Sequence, residues 1–144
     1  MERIVSALVE RDDRPLTEHR HISNYLYGTC HDFALLATGT LHHYGVPARL
    51  RVGYAGYFNP GKWEDHCVCE YRRGGRWALL DGQLGPIARD GFKIKFPLDD
   101  MSAAEWRSAA WIWRAIRDGT IDENICGVSF VGHGRLGRHA AVGE

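Results

Sequence analysis

A sharp change of hydrophobic period at Gly45-Val46-Pro47 is the feature that most constrains the fold of this chain. Before it, apolar residues recur at helical spacing from Phe33 to Tyr44, and after it they alternate with other residues from Ala48 to Tyr54. The first spacing predicts an amphipathic helix and the second predicts a strand. A glycine just past a helix ends it, and the following proline prevents its continuation. The chain is therefore predicted to contain both helix and strand.

The start of this helix carries the first candidate functional residue. Thr29 is the predicted N-cap, and Asp32, three residues later, completes a pattern similar to a capping box. Cys30 is therefore the predicted first helical residue. Free N–H groups and the positive end of the helix dipole lower the pKa of a thiol there, and the thiolate is the nucleophilic form. The alternative is that Cys30 is simply a small buried apolar residue.

Two further strands are predicted from His66 to Arg72 and from Arg76 to Asp81, joined by a turn that contains glycine. A two-residue loop at Arg73-Gly74 sets the register of this hairpin. In that register three pairs of residues lie directly opposite each other: Glu70 and Trp77, Val68 and Leu79, and His66 and Asp81. Opposed side chains share a face, with Cβ atoms roughly 4.5–5.5 Å apart. We therefore expect the Asp81 carboxylate to accept a hydrogen bond from the His66 imidazole.

The other elements are less strongly indicated. Residues 2 to 12 form a predicted amphipathic helix, and a short strand is predicted near Phe92 to Phe96. Ser102 and Glu105 form a second capping box, which predicts a helix that runs to Asp118-Gly119 and packs its tryptophans, Trp106 and Trp113 among them, in the core. The segments 55 to 64 and 82 to 100 are predicted to be mainly loops that border a common cleft.

Length and composition limit the class of protein. A chain of 144 residues predicts a single domain, here residues 1–144, and the formal net charge of zero argues against nucleic acid or an anionic membrane as a partner. The sparse basic residues near the C-terminus, such as Arg135 and Arg138, predict a solvated tail. No apolar run is long enough for a membrane span, and Met1-Glu2-Arg3-Ile4 does not resemble a signal peptide, so we expect a cytoplasmic protein. The four cysteines are expected to be free thiols.

The ordered set Cys30, His66 and Asp81 is typical of a cysteine nucleophile with an oriented base. His66 alone is more simply explained as a structural histidine, and Asp81 alone as the start of a turn at Asp81-Gly82. Two other carboxylates compete for the orienting role. Asp65 alternates to the opposite face of the strand, and Glu70 lies two residue pairs away from His66.

A zinc site is the main inorganic alternative. Its ligands would be His66, Cys67 and Cys69, but these side chains alternate across the strand, so one metal ion could not easily bind all three. The chain has no Cys-x-x-Cys pair. We therefore predict no metal and no cofactor. His31, His42 and His43 are expected at the surface of the helix and not as ligands.

Five motifs together resemble the transglutaminase-like superfamily over about residues 24 to 84. They are Gly28-x-Cys30, Gly45-Val46-Pro47-Ala48-Arg49, Val52-Gly53-Tyr54, His66-x-x-x-Glu70 and Gly75-Arg76-Trp77-x-x-x-Asp81. The resemblance implies a papain-like α+β core with flanking helices, in which a nucleophile helix packs on an antiparallel sheet. It also implies that Cys30 is the nucleophile, His66 the base and Asp81 the orienting acid. The implied activity is acyl transfer on an amide or ester carbonyl through a thioester.

Several features depart from this family. Cys67 and Val68 stand where many members have an aromatic residue, and Gly82 stands where many have proline. The family's oxyanion side chain lies before the cysteine, where Asn24, Tyr25 and Tyr27 are the candidates. The backbone N–H of Cys30 is a candidate for the other oxyanion donor.

The substrate class therefore stays broad: a protein, a peptide, or a small amide or ester, with water or an amine as acceptor. Two alternatives remain open. One is a binding module of the same fold without activity. The other is an enzyme similar to the arylamine N-acetyltransferases, although no coenzyme-binding pattern is visible.

Overall fold

The computed structural model describes residues 2–15, 17–128 and 132–133, and the basic residues Arg135 and Arg138 lie outside this part. The described chain contains helices, two 3₁₀ turns at Ile22–Asn24 and Glu123–Ile125, and strands. The helices are α1 (Glu2–Arg11), α2 (Cys30–His43), α3 (Pro86–Gly91) and α4 (Ala109–Arg117). The strands are β1 (Ala48–Ala55), β2 (Trp63–Arg73), β3 (Arg76–Leu80), β4 (Trp106–Ser108), β5 (Cys126–Val128) and β6 (Gly132–His133). The chain is α+β, as the sequence predicts.

A mostly antiparallel sheet is the centre of the fold. Its order is β4-β1-β2-β5-β6, and β3 also pairs with β2; of these pairings only that of β2 with β5 is parallel. β5 and β3 pair with opposite ends of the long strand β2, at Trp63–Glu64 and at Cys69–Arg73. Between these ends, residues 65 to 68 have no strand on that edge within the described part of the chain. This gap is where the candidate site lies.

The two faces of the sheet are covered differently. Residue pairs from β1 and β2 such as Leu50 with Cys69 and Tyr54 with Asp65 lie on the face that α2 and α4 cover. On this face the Thr38 hydroxyl donates to Cys69 Sγ at 3.3 Å. The opposite face carries a separate core cluster of Ala55, Val68, Met101 and Trp106. The helix that begins at Cys30 therefore packs on β1 and β2, close to the strand that carries His66.

The register of the β2–β3 hairpin differs from the predicted one by two residues. Arg72 pairs with Trp77 and Arg73 with Arg76, so the loop is Gly74-Gly75 and not Arg73-Gly74. The φ angles of +55° at Gly74 and +82° at Gly75 explain this difference, because a tight two-residue hairpin needs positive φ at both positions and glycine adopts it without strain. A shift of two residues keeps every side chain on its predicted face.

The predicted helix from Ser102 is also wrong in its first part. The Ser102 N–H does donate to Glu105 Oε2 at 2.6 Å, but the turn does not continue, and Trp106–Ser108 form β4 beside β1. Trp106 is buried in this arrangement. Gly53 has no side chain, which leaves room for the Trp106 ring and for the β4 backbone to pack directly against β1. The helix begins instead at Ala109, where Ser108 Oγ accepts from the Trp111 N–H at 3.3 Å.

Two smaller predictions need correction. Residues Phe92 to Phe96, all of which the structure describes, form no strand, and the helix α3 lies just before them. It begins at Pro86 because proline is well suited to the first helical turn. Trp106 is in the core as predicted, but Trp113 is 42% exposed and stacks with the Arg117 guanidinium. Within the described ranges, no helix combines the length and apolar character that crossing a membrane would require.

Candidate active site

The N-terminus of α2 places Cys30 at the predicted position. Thr29 is the N-cap, and the Asp32 carboxylate accepts hydrogen bonds from the Thr29 N–H at 2.8 Å and from the Thr29 hydroxyl at 2.9 Å. These bonds hold the first turn in a fixed conformation. Helix geometry leaves the N–H of Cys30 without an acceptor inside the helix, so the thiol lies at the electropositive end of α2.

His66 and Asp81 are brought together in the interior. His66 Nε2 lies 2.9 Å from Asp81 Oδ2, and the two side chains are 3% and 1% exposed. The register argument predicts that His66 and Asp81 lie directly opposite each other, but the structure does not pair them. β3 ends at Leu80, which pairs with Cys69, so Asp81 lies just beyond the hairpin and reaches His66 diagonally. The contact is therefore as expected, but its geometric cause is different.

The Asp81 carboxylate is held by two further hydrogen bonds. The Tyr57 hydroxyl donates to Oδ2 at 2.6 Å, and the Gln83 backbone N–H donates to Oδ1 at 2.9 Å. Burial is the largest single effect and disfavours the charge on Asp81, but the charge of His66 and the hydrogen bonds from His66, Tyr57 and Gln83 together outweigh it and lower the pKa of Asp81 below its ordinary value. Burial, together with the Asp81 charge, raises the pKa of the Tyr57 hydroxyl, which therefore stays a donor. Sequence reasoning missed Tyr57, because the loop after β1 carries no local signal for this role.

His66 is also fixed at its backbone and on its ring. The Trp106 indole N–H donates to the His66 carbonyl at 3.0 Å, and the Phe58 ring meets the imidazole edge-on with centroids 4.8 Å apart. Because Nε2 is used by Asp81, Nδ1 is the imidazole nitrogen left for another partner, and Cys30 is among the groups that raise the pKa of His66.

The electrostatics of Cys30 and His66 favour an ion pair. Hydrogen bonds from the Cys67 side chain and from His66 lower the pKa of Cys30 to about 4, against the opposing effect of burial. Burial disfavours the imidazolium, but its hydrogen bonds with Asp81 and Cys30 prevail and raise the pKa of His66 to about 9. Between these values the thiolate and the imidazolium coexist.

Cys67 is the residue whose position the sequence least suggested. Its side chain is the largest influence on the Cys30 thiol, and its backbone adds to the same effect: both lower the pKa of Cys30. The contact with Cys30, followed by burial, raises the pKa of the Cys67 thiol, so it stays protonated as a donor. All four cysteines are free thiols, as predicted.

A cavity of about 700 Å³ gives access to these groups. Phe58 and Asn59 from the segment 55 to 64, and Gln83 and Phe92 from the segment 82 to 100, contribute to its wall, so both segments border the cleft as predicted. The other lining residues come from the start of α2, from β2 and from β5: Thr29, Cys30, His31, Glu64, Asp65, His66, Cys67 and Val128. Asp81 is behind His66 and is not part of the wall.

The candidate oxyanion side chains lie elsewhere. The Asn24 amide donates to Asp12 at 3.2 Å, the Tyr25 hydroxyl accepts from the Arg20 N–H at 3.3 Å, and Tyr27 is fully exposed. None of the three is among the residues that line the cavity. The N–H of Cys30 remains the only one of these candidates that is placed at the cavity. In the described residues no three His, Cys, Asp or Glu side chains are arranged as ligands for one metal ion.

Comparison with known proteins agrees with the motifs. A family model of the transglutaminase-like superfamily matches residues 5–82, which is more than half of the chain. Searches among curated proteins and among solved structures returned no match. The matched range contains α2, β1, β2 and β3 together with Cys30, His66 and Asp81. On this match, the chain belongs to the transglutaminase-like superfamily.

Proposed function

We propose that this protein is a cysteine-dependent acyl-transfer enzyme in which Cys30 is the nucleophile, His66 the general acid and base, and Asp81 the residue that orients the imidazole. The observation that carries the proposal is the buried His66–Asp81 hydrogen bond of 2.9 Å beside a thiol at a helix N-terminus. The nucleophile helix packed on β1 and β2 also supports a papain-like arrangement.

The proposed reaction begins with the thiolate–imidazolium pair. The Cys30 sulfur attacks the carbonyl carbon of an amide or ester, and the N–H of Cys30 stabilises the oxyanion. The tetrahedral intermediate collapses, the C–N or C–O bond breaks, and His66 gives its proton to the leaving group. This leaves a thioester on Cys30. Water or an amine then attacks the thioester while His66 accepts its proton, and the thiolate is released.

Asp81 keeps the imidazole in place through both steps. Its carboxylate accepts from Nε2, so the proton that moves is the one on Nδ1, facing Cys30. Tyr57 and Gln83 occupy other positions on the carboxylate and limit its rotation. The reaction class covers peptidase, deamidase and transamidase activity, and the substrate is a protein, a peptide, or a small amide or ester.

A covalent trap tests the proposal directly. Activated esters and glutamine-containing peptides are offered to the protein, the reaction is stopped in acid, and the acyl group is mapped by mass spectrometry. We expect acylation at Cys30, its loss in Cys30→Ala, and little accumulation in His66→Gln. His43→Gln is the matched control, because His43 is exposed at the far end of the same helix. Normal folding with no acylation across both panels would favour the binding-module alternative.

A further inference from the structure

The contact between Cys30 and Cys67 has no necessary part in acyl transfer. Cys30 is at the start of α2 and Cys67 is on β2, and both line the same cavity. Both residues therefore contribute to one wall region, and the Cys67 side chain is the largest cause of the lowered pKa of Cys30, an influence that acts only at short range. Cys69 and Cys126, by contrast, are fully buried in the core and do not line the cavity.

We propose that Cys30 and Cys67 form a site of reversible oxidative modification, in which a peroxide converts the two neighbouring thiols into a disulfide. The gap on the edge of β2 leaves Cys67 uncovered by a neighbouring strand in the described part of the chain, and the cavity admits a reagent as small as a peroxide. A disulfide requires the two sulfurs to close to a bonded separation of about 2 Å.

The chemistry balances in two steps. The Cys30 thiolate attacks one peroxide oxygen, the O–O bond breaks, and a sulfenic acid forms while the leaving hydroxide takes the proton of His66 as water. The Cys67 sulfur then attacks the sulfenic sulfur, the S–O bond breaks and the S–S bond forms. The second hydroxide leaves with the Cys67 proton as water. Two thiols are oxidised to one disulfide, and one peroxide is reduced to two waters.

The first step also prepares the second. Contact with Cys30 is the largest cause of the raised pKa of the Cys67 thiol. Once Cys30 is a neutral sulfenic acid its negative charge is gone, so the pKa of Cys67 falls and its thiolate becomes more available. The Cys30 sulfur is thereby protected from further oxidation to a sulfinic acid, which thiols do not reverse.

The test treats the reduced 144-residue chain with an excess of hydrogen peroxide, because oxidation of one thiol to a sulfinic acid consumes two peroxides, and maps its tryptic peptides without reduction. We expect peptide 21–49, which contains Cys30, to be linked to peptide 63–72, which contains Cys67 and Cys69. Cys69→Ala is the matched control and must keep the link. Cys67→Ser and Cys67→Ala must lose it and accumulate sulfinic acid at Cys30. Dithiothreitol should restore the wild-type thiols and not those of the Cys67 variants.

The cross-link is scored without any substrate, so this result is independent of the proposed function. Only its consequence, a reversible block of acyl transfer, rests on that function. A peroxide-treated wild type with no link between the two peptides, or with Cys30 oxidised as in the Cys67 variants, would overturn the inference. A link that disappears in Cys69→Ala but persists in Cys67→Ser would overturn it as well, since it would identify the wrong partner.

Discussion

Alkylation of Cys30 should be almost independent of pH between 6 and 8. The pKa of Cys30 is lowered from its ordinary 9.0 to about 4 by the Cys67 side chain and by His66, so the thiol is ionised throughout this range. An ordinary thiol gains about 100-fold in thiolate over the same two pH units. Cys126 is fully buried and its pKa is raised to about 11, so it is expected to stay unlabelled over this range.

The same values predict the rate itself. At pH 6 the fraction of thiolate at Cys30 exceeds that of an ordinary thiol by about 1000-fold, while its lower basicity reduces intrinsic reactivity by about 100- to 300-fold. The net advantage is therefore about 3- to 10-fold at pH 6. The slope against pH is the stronger test, because partial burial of Cys30 reduces the rate at every pH alike.

The assay uses limiting iodoacetamide at pH 6, 7 and 8, with the label at each cysteine quantified by mass spectrometry. His66→Gln removes the imidazolium and should move the onset of Cys30 labelling to higher pH, whereas His43→Gln should leave it in place. If labelling of Cys30 in the wild type increased about 100-fold from pH 6 to pH 8, the assigned thiolate–imidazolium pair would be wrong.

Four substitutions test other contacts. Asp81→Asn should lower the rate of acyl transfer by about 10²- to 10⁴-fold in steady-state assays with little change in KM, because the imidazolium loses its charged partner; an unchanged rate would remove Asp81 from the mechanism. Tyr57→Phe should lower the free energy of unfolding by about 2 kcal/mol in urea titrations at pH 7, since it deletes a hydrogen bond to a buried carboxylate. The pKa of Asp81 is lowered in the folded state, so its stabilising effect is complete above 3.8 and is lost as pH falls through the lowered value; the Tyr57→Phe deficit should shrink in the same acidic range. Gly53→Ala places a Cβ 2.2 Å from a backbone oxygen and 2.3 Å from the Trp106 ring, and it should lower the free energy of unfolding by at least about 1–3 kcal/mol. Gly39→Ala has no atom within 4 Å of its new Cβ and lies inside α2, so it should raise the free energy of unfolding by up to about 1 kcal/mol. Equal effects of the two substitutions would refute the assigned packing.

The hairpin shows where sequence reasoning reaches its limit. Both Arg73-Gly74 and Gly74-Gly75 are glycine-containing loops of two residues, and the alternation of side chains is the same in either register. Only the requirement for positive φ at both loop positions separates them, and this makes Gly74-Gly75 the better turn. The faces of His66 and Asp81 were therefore predictable, although their exact pairing was not.

The C-terminal half shows a second limit. Ser102 and Glu105 form the local hydrogen bond that their spacing predicts, yet the helix does not follow. Trp106 lies buried against Gly53, and the strand pairing that this burial brings outweighs the helix propensity of the segment. The predicted core position of Trp113 fails because the short helix α4 buries Ile112 and Ala115 and leaves Trp113 on its exposed side.

By itself, the sequence determined the elements whose signals are local: the capped start of α2 at Cys30, its end before Gly45, the alternating strands and the order of the three candidate site residues. These depend on neighbours a few positions away, and such contacts form in nearly any fold that contains the segment. Tertiary structure alone decided which groups surround the thiol. Three features depend on residues from separate elements: the gap on the edge of β2, the hydrogen bond of Tyr57 to Asp81, and the position of Cys67 near Cys30. No local sequence pattern predicts these contacts.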